Sequence, residues 1–295
     1  MRILVTGAGG NLARGVIPLL RSAGHELVLS DLVPLPEGED VADLPFVQCD
    51  VSVGVGLERA AAGCDLLLHT PAWHGIHSRA KTEVDFWRLN VDGTFWALQA
   101  AETAGVGRLV FLSSMSWFGH YDKYGFTKQV GEELCEYHRQ QHGLRYVSVR
   151  PADFTPWGTD WLNRYGARML YGGVDRADVV ECVTAAVDAL DSPAPTEEPE
   201  GLVVHAVRAN AFADADLKGW EDDPTGTAER IFPGAATLVA KYGIDIARRP
   251  AVVEQVGAEA IGYRPTRHFG TFLADLAEVD AHGGEAAVRE VSCPY

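Results

Sequence analysis

The chain has 295 residues, of which 47% are hydrophobic and 22% charged, as in an ordinary globular protein. Lysine and arginine total 25 against 41 aspartates and glutamates, so the formal net charge is −16. Such an acidic surface repels polyphosphate backbones, which argues against nucleic acid as the main partner. No apolar run is long enough to span a membrane, and no signal-peptide pattern follows Met1. We therefore expect a cytoplasmic protein without a membrane partner.

Strand and helix patterns alternate through the first half of the chain. Apolar runs predict strands at residues 2–5, 26–30, 46–49, 65–69, 108–113 and 145–149. Helical spacing predicts helices at residues 12–23, 57–62, 84–104 and 124–142. This alternation predicts an α/β fold with a doubly wound parallel sheet covered by helices on both faces.

The pattern is weaker in the second half of the chain. Residues 191–200 are acidic and rich in proline, which predicts a solvated loop, and residues 202–207 predict one more strand. Short helices are expected at residues 235–242, 250–256 and 271–279. We expect a dinucleotide-binding domain over residues 1–150, with the strand at 201–207 added to its sheet. Residues 151–295 are expected to form a small, mainly substrate-binding C-terminal lobe.

A glycine-rich turn follows the first strand and reads TGAGGNLA over residues 6–13. The older G-x-G-x-x-G fingerprint fails at Leu12, but G-x-x-G-x-x-G/A fits Gly7, Gly10 and Ala13. Small residues let the backbone turn sharply, approach a pyrophosphate and pack the helix against the strand. The turn therefore predicts a dinucleotide site, and the residues expected to bind the cofactor there are Gly7, Gly9, Gly10, Asn11 and Leu12.

Asp31 follows the second strand, in register with the glycine turn. A carboxylate at that place accepts hydrogen bonds from the adenosine ribose hydroxyls and repels a 2′-phosphate. The cofactor predicted from Asp31 is therefore NAD and not NADP. Asp50 and Val51, at the end of the third strand, are expected to lie along the edge of the adenine.

Tyr124 and Lys128 have the i, i+4 spacing that places two side chains on one face of a helix. A nearby ammonium lowers the pKa of a phenol, which favours proton transfer near neutral pH. The spacing alone is common. The strand at 108–113 strengthens the case because it ends in serines, at the strand end where such sheets bind ligands. We predict that Tyr124 and Lys128 are a catalytic acid/base pair.

Eight features occur in a fixed order: TGAGGNLA, Asp31, CDV, HTPA, NVDGT, SSMSWFG, YGFTK and RPA. In this order they resemble the extended short-chain dehydrogenases, the NAD-dependent epimerase/dehydratase family, over roughly residues 1–190. The resemblance implies a Rossmann fold, NAD as cofactor and a homodimer formed through the helices at 84–104 and 124–142. It also implies that Ser114 is the catalytic hydroxyl beside Tyr124 and Lys128. The cofactor contacts that it implies beyond the glycine turn are Thr70, Pro71, Ala72, Asn90, Tyr124, Lys128 and Pro151.

The residues expected to face the substrate are Trp73, His74, Met115, Ser116, Asp153 and Arg168. Within the family, the motifs VQCDV and AGCD, together with Arg168-Met169-Leu170, locally resemble uronate dehydrogenases. This resemblance implies that Arg168 pairs with the carboxylate of a sugar acid, but a structural role for Arg168 is equally open. The loop before Tyr124 is shorter than the insertion common in the family. It either leaves the pocket open or lets Trp117, His120 and Tyr121 close it.

His69, His74 and His77 suggest a metal site, but no cysteine or carboxylate completes a ligand set around them, and no metal is expected. The five cysteines are odd in number and far apart, which predicts free thiols.

Three functions remain open. The first is an NAD-dependent oxidoreductase acting on a secondary alcohol or carbonyl of a polar, sugar-like substrate. The second is an enzyme that retains NAD and epimerises a sugar or nucleotide sugar. Dehydration and decarboxylation are less favoured, and Met115 and Ser116 provide no acidic pair of the kind a dehydratase needs. The third is a non-catalytic nucleotide-sensing or scaffold protein, which the presence of both Tyr124 and Lys128 argues against.

Overall fold

The computed structural model describes residues 1–35, 41, 43–117, 122–154, 160–193 and 200–292. Its strands form one sheet in the order β3-β2-β1-β4-β5-β6-β7. They are β1 (Arg2–Thr6), β2 (Glu26–Asp31), β3 (Phe46–Gln48), β4 (Leu66–His69), β5 (Arg108–Leu112), β6 (Arg145–Pro151) and β7 (Gly201–Ala206). The pairings that join β3 through β6 are all parallel. This is the doubly wound Rossmann order, so the predicted fold class is confirmed.

One or two of the described α-helices follow each strand from β1 to β6 except β2, and three follow β7. The described helices are α1 (Asn11–Ser22), α2 (Leu57–Ala61), α3 (Glu83–Phe86), α4 (Gly93–Ala104), α5 (Lys123–His142), α6 (Gly166–Tyr171), α7 (Arg176–Asp191), α8 (Pro224–Ile231), α9 (Ala235–Tyr242) and α10 (Phe269–Glu290). Helix α10 is interrupted at Gly284, whose backbone is not helical. Among the described residues, no helix combines the length and the apolar composition needed to cross a bilayer.

Burial explains why the central strands read as continuous apolar runs. All four residues of β4 and the last four of β1 are buried. A strand that is covered by helices on both faces has no solvent-facing side, so its sequence does not alternate. Helix α1 instead has one buried stripe at helical spacing, made of Leu12, Ala13, Val16, Ile17 and Leu20.

The predicted helix at residues 84–104 is three segments in the structure. Thr82 caps α3 by accepting a hydrogen bond from the backbone N–H of Asp85, and Asp85 accepts one in return from the backbone N–H of Thr82. A π-helical turn, Trp87–Asp92, then joins α3 to α4. Such a turn inserts one extra residue and changes which side chains face the sheet. It contains Asn90, which is 1% exposed.

The described residues divide into two compact units. The first unit is Met1–Pro151, Val180–His205 and Val256–Tyr263. Its core lies between the sheet and helices α2, α4 and α5, and includes Leu4, Leu67, Leu98, Phe111 and Cys135. The second unit is Ala152–Val179, Ala206–Gln255 and Arg264–Tyr295.

The second unit has its own aromatic core. Trp220 is fully buried, and its indole N–H donates to the backbone oxygen of Ile246 over 2.9 Å. The rings of Trp161, Tyr165 and Phe272 pack edge to face or stacked around one another. Edge-to-face contacts of this kind add specificity to the burial of large apolar surfaces.

The helix predicted at residues 250–256 is wrong, because this segment has no helical structure. The Asn210 side chain accepts from the backbone N–H of Val253 over 2.9 Å and donates to its backbone oxygen over 2.7 Å. These bonds hold the segment against the chain that follows β7 and take the place of helical hydrogen bonds. The prediction also missed α8, which begins with Asp223 as N-cap and Pro224 in its first turn.

The described cysteines, Cys49, Cys64, Cys135 and Cys182, are buried and free. Cys293 lies outside the described residues, as do residues 194–199 of the predicted loop.

Candidate active site

The turn between β1 and α1 accepts only glycine at Gly7. Gly7 has a φ of +71°, and a Cβ there would lie 2.7 Å from Oγ1 of Thr70 and 3.1 Å from Pro71. Helix α1 then begins with Gly10 as N-cap and has no side-chain cap hydrogen bond. Because the first N–H groups of a helix carry partial positive charge, the turn suits an anionic pyrophosphate. Gly9 and Asn11 are exposed beside it, whereas Leu12 belongs to the core.

Asp31 lies beside this turn at the end of β2. Its Oδ2 accepts from the backbone N–H of Gly9 over 2.9 Å, and its Oδ1 accepts from that of Leu32 over 2.7 Å. Each carboxylate oxygen retains a second lone pair, and the residue is partly exposed. The carboxylate therefore has the capacity to accept further hydrogen bonds from ribose hydroxyls.

Asp50 and Val51 lie at a turn after β3. Oδ1 of Asp50 accepts from the backbone N–H of Ser52 over 3.0 Å and from its hydroxyl over 2.6 Å. This bonding caps the 3₁₀ turn Val51–Val53. A contact with adenine at this place stays a prediction.

Three of the predicted cofactor residues follow β4 directly: Thr70, Pro71 and Ala72. The Thr70 hydroxyl donates to the backbone oxygen of Thr6 over 2.8 Å. This bond holds the carboxyl ends of β1 and β4 together beside Gly7, where a doubly wound sheet binds its ligand.

Asn90 joins three segments of the chain through its side-chain amide. Its oxygen accepts from the backbone N–H of Trp73 over 2.8 Å. Its nitrogen donates to the backbone oxygen of Trp73 and to Oγ1 of Thr127, both over 2.9 Å. The amide therefore fixes the loop after β4 and the π-helical turn against α5.

Lys128 is a buried lysine, only 2% exposed. Its ammonium donates to the backbone oxygen of Leu112 over 2.6 Å and lies 5.1 Å from the ring centre of Phe111. Burial lowers the pKa of Lys128 to about 7, against the opposing charges of Glu132 and Cys135. The side chain is therefore able to gain or lose a proton near neutral pH.

Tyr124 lies in the first turn of α5, one helical turn before Lys128. Asp122 begins this helix by accepting from the backbone N–H of Gly125 over 2.7 Å. The phenol is partly exposed, and its ring lies 6.4 Å, centre to centre, from the rings of both His74 and Phe86. The start of α5 thus presents Tyr124 at the surface of the first unit while it buries Lys128.

Ser114 follows β5 and is 5% exposed. Its hydroxyl oxygen accepts from the backbone N–H of Ser116 over 3.0 Å, which orients it within the short turn Met115–Trp117. Met115 and Ser116 are partly exposed in that turn. All three predicted catalytic residues, Ser114, Tyr124 and Lys128, belong to the first unit.

Residues 3–158 match the family described as the NAD dependent epimerase/dehydratase family. The match covers more than half of the chain. The chain belongs to this family. The predictions of the family, of an enzyme and of NAD as its cofactor are confirmed.

Relatives within the NAD-dependent epimerase/dehydratase family include a uronate dehydrogenase from Pseudomonas syringae pv. tomato, 30% identical over 165 residues. That alignment covers 50% of this chain and 58% of the relative, so it spans little more than half of the relative's length. A uronate dehydrogenase from Pseudomonas putida is 24% identical over 197 residues, 62% of this chain and 69% of the relative.

Solved structures support the same fold. Uronate dehydrogenase from Agrobacterium tumefaciens, as a mutant complexed with NAD, matches with a TM-score of 0.62 and 23% identity. The match covers 94% of this chain and 89% of that one. A UDP-galactose 4-epimerase matches with a TM-score of 0.65 and 20% identity, covering 94% and 99% of the two chains.

In this family member, three aromatic side chains follow β4 beside Tyr124: Trp73, His74 and His77. The ring centres of His74 and His77 are 4.3 Å apart, and those of Trp73 and His77 are 4.9 Å apart. Burial and the nearby charge of His77 lower the pKa of His74 to about 4, so His74 is neutral at pH 7. A neutral imidazole offers one hydrogen-bond donor and one acceptor.

His69 has different surroundings from the other two histidines. It is the last residue of β4, and its Nδ1 lies 2.9 Å from the hydroxyl of Thr6. Burial lowers its pKa to about 3, and its ring stacks on Phe111 at 6.3 Å. These contacts make His69 part of the packing of the sheet.

The predicted residues Asp153 and Arg168 belong to the second unit, whereas Pro151 is the last residue of the first segment of the first unit. Asp153 is exposed, and its backbone oxygen accepts from the N–H of Val174 over 3.2 Å. Arg168 lies in α6 and is 6% exposed. A Cβ at Gly173 would come within 1.6 Å of the Arg168 side chain, so Gly173 makes room for it.

Two residues that position the site are absent from the sequence predictions: Lys123 and Thr127. The Lys123 ammonium donates to the backbone oxygens of Ser78 and Lys81 over 2.9 and 2.6 Å. These bonds hold the segment after His77 against α5. Thr127 bonds Asn90, as described above. Thr127 could have been predicted as a site residue because it lies within YGFTK. The role of Lys123 could not, because its partners are backbone atoms distant in sequence. His120 and Tyr121 lie outside the described residues, and nothing is described of the Trp117 side chain.

Proposed function

We propose that this protein is an NAD-dependent oxidoreductase that transfers hydride between nicotinamide and a secondary alcohol or carbonyl of a polar, sugar-like substrate. The observation that carries the proposal is the buried Lys128, one turn of α5 below the partly exposed Tyr124. A lysine in an apolar site is destabilised in its charged form, so its retention there calls for a chemical role.

We assign the cofactor to the carboxyl ends of the strands in the first unit. The turn at Gly7 and Gly10 would hold the pyrophosphate against α1. Asp31 would accept the ribose hydroxyls, and Lys128 would hold the nicotinamide ribose. Gly7 supports this fit through its φ of +71°, because this backbone conformation lets the chain turn sharply from β1 into the N-terminus of α1.

Tyr124 would act as the general base during oxidation by taking the proton of the substrate hydroxyl. Ser114 would hydrogen-bond the same oxygen and orient it. Lys128, when protonated, would stabilise the phenolate and lower the pKa of Tyr124. NAD, when bound, would supply the hydride acceptor for the carbon that carries this hydroxyl. The step converts the secondary alcohol to a carbonyl and releases one proton through Tyr124, and the reverse reaction returns it.

The substrate class we favour is a sugar acid. Support comes from the relatives named uronate dehydrogenase, in two species of Pseudomonas. Arg168 would then pair with the carboxylate in bidentate geometry. The alternative is that Arg168 only fills the space beside Gly173, in which case neutral and acidic sugars would react alike.

Epimerisation with retained NAD uses the same proton transfer and is the second candidate. One experiment separates the two. The purified protein is tested for bound NAD(H), and NADH absorbance is followed with a panel of sugars and sugar acids. Net NADH formation supports the oxidoreductase. Tightly held cofactor and inverted sugar without net NADH support the epimerase. A protein that binds no NAD contradicts both and favours a non-catalytic role.

We also propose a homodimer through α4 and α5 and the π-helical turn before α4. Large aromatic side chains remain 38–56% exposed on these elements: Trp87, Phe95, Trp96, Phe126 and Tyr137. Exposed apolar surface of this extent is typical of protein interfaces. Light scattering should give twice the chain mass for the wild type and a smaller mass for Trp96→Glu. The proposed absence of a nucleic-acid partner rests on the acidic charge, and the cytoplasmic location stays a prediction.

A further inference from the structure

Three metal-ligating side chains meet at the C-terminal ends of α4 and α5: Glu102, His138 and His142. Each provides one ligand atom, and these atoms all lie within 4.8 Å of one another. The two histidines have i, i+4 spacing on α5, so they lie on one face of that helix. His138 is about 15 Å along α5 from Lys128, at 1.5 Å per residue. The cluster is therefore separate from the proposed catalytic residues.

The exposed half of the cluster resembles an ordinary ion pair. Nδ1 of His142 lies 3.0 Å from Oε1 of Glu102, and the two side chains are 32% and 39% exposed. Gln99 donates to the second carboxylate oxygen of Glu102 over 3.3 Å. A pair like this is common on protein surfaces and by itself indicates no ligand.

His138 distinguishes the cluster from such a pair. It is 2% exposed, and its Nε2 has no hydrogen-bond partner among the described residues. Its ring centre lies 4.9 Å from that of His142. A buried polar nitrogen without a partner costs free energy, and a bound metal ion would give the imidazole of His138 a partner.

The dimensions suit a transition-metal ion. Ligand atoms about 2.0–2.1 Å from a tetrahedral Zn²⁺ lie about 3.3–3.4 Å from one another. The distance between His142 and Glu102 is close to that value, and the other ligand atoms, no more than 4.8 Å apart, would have to approach one another by at most about 1.5 Å. Three protein ligands would leave one position for water.

The charges around the cluster also favour a cation. The C-terminal ends of helices carry partial negative charge, and both helices end here. The adjacent cation Arg139 is bound to Glu136 over 2.8 Å.

We propose that Glu102, His138 and His142 form a site for a divalent transition-metal ion of the Zn²⁺ class, which links α4 to α5. The carboxylate and the imidazole pair come from different helices, so no local sequence motif contains all three ligands. The predicted absence of a metal considered only His69, His74 and His77.

The test uses the untagged full chain, treated with chelator and dialysed, because an affinity tag would itself bind metal. Calorimetric titration with Zn²⁺ should reveal one saturable site, and Co²⁺ should give the visible absorption bands of a low-symmetry, nitrogen-ligated complex. Zn²⁺ should also raise the Tm of the wild type.

Glu102→Gln and His142→Asn change partly exposed positions and should leave the fold intact. Each should weaken Zn²⁺ binding at least about tenfold, the smallest loss typical even of residues that only orient ligands. His282→Asn, at an exposed histidine on α10, is the control and should bind as the wild type does. The proposal is overturned if the wild type has no saturable site, or if Glu102→Gln and His142→Asn bind Zn²⁺ as tightly as the control. NAD affinity, measured on the same samples, should not change.

Discussion

The two units of this protein differ in how they bury polar groups. In the first unit, buried polar side chains such as Asn90 and Lys128 bond the segments around the carboxyl ends of the strands. In the second unit they bond one segment of that unit to another. Asp178, 1% exposed, accepts from the backbone N–H groups of Thr266 and Arg267, both over 3.0 Å. The buried polar groups of the first unit therefore lie among the proposed catalytic residues, whereas those of the second unit hold its own segments together.

Removal of the phenol hydroxyl should have the largest effect. Tyr124→Phe keeps the ring beside His74 and Phe86 but removes the proton acceptor. We expect kcat to fall by a factor on the order of 10²–10⁴, the range for loss of a general base. NAD affinity should stay the same. Tyr137→Phe, at an exposed tyrosine on the same helix, should be fully active. Loss of activity in both variants would contradict a specific role for Tyr124.

The next largest effect should be on cofactor choice. Asp31→Ala removes the carboxylate that would repel a 2′-phosphate, so the preference for NAD over NADP should fall about 10–100-fold, as for loss of a charged hydrogen bond. The Kd values of the variant for NAD and NADP, measured at equilibrium, give this preference. Asp65→Ala is the control, because Asp65 also accepts a backbone N–H but lies at the other end of the sheet's strands. NADP binding no better than in the wild type would refute the role of Asp31.

The proposed role of Arg168, in the second unit, can be tested through the ratio of kcat/KM for two substrates. Arg168→Lys keeps the charge but loses the planar, bidentate geometry. If Arg168 binds a sugar acid, kcat/KM for the acid should fall about tenfold relative to the matching neutral sugar, a loss of one charged hydrogen bond. A structural Arg168 would lower both values equally. Equal losses would remove the assignment of specificity to Arg168.

The remaining effect should be on stability and not on activity, and it depends on pH. The pKa of Lys128 is about 7 in the folded protein, whereas that of a lysine in the unfolded chain is about 10.4. Between these values the unfolded chain binds more protons, so this lysine makes the free energy of unfolding rise with pH. Lys128→Met should therefore be more stable than the wild type at pH 7, with an advantage that shrinks toward pH 10. Urea unfolding without cofactor measures it, with exposed Lys218→Met as control. A difference in the free energy of unfolding that stays constant between pH 7 and pH 10 would contradict the lowered pKa of Lys128.

Much of the first unit follows from the sequence because its signals are local. A run such as residues 2–5 is apolar throughout, ends at glycines and precedes an amphipathic helix, and the structure has β1 and α1 within one residue of these positions. The interruption of the helix at 84–104 was not predictable in this way. Asn90, at this interruption, bonds Trp73 and Thr127, which are distant in sequence and leave no local signal.

The structure of the second unit is less predictable from the sequence, because it too depends on bonds between residues that are distant in sequence. Residues 250–256 have apolar residues that suit a helix, but they have no regular secondary structure, and Asn210 bonds the backbone of Val253. Helix α9 was predicted with its observed bounds, because its apolar spacing is regular and it ends at a glycine. The chemistry of the candidate site was readable from YGFTK and the glycine turn, whereas the burial of Lys128 depends on the packing of Phe111 and Leu112 around it.

The most direct test of the central claim is single-turnover hydride transfer with NAD and a reactive sugar or sugar acid. The wild type and Tyr124→Phe are compared at saturating NAD, with the Kd for NAD measured on the same samples. We predict equal Kd values within about twofold and a single-turnover rate about 10²–10⁴-fold lower in Tyr124→Phe. Equal rates in the two proteins would show that Tyr124 does not transfer the proton and would contradict the account.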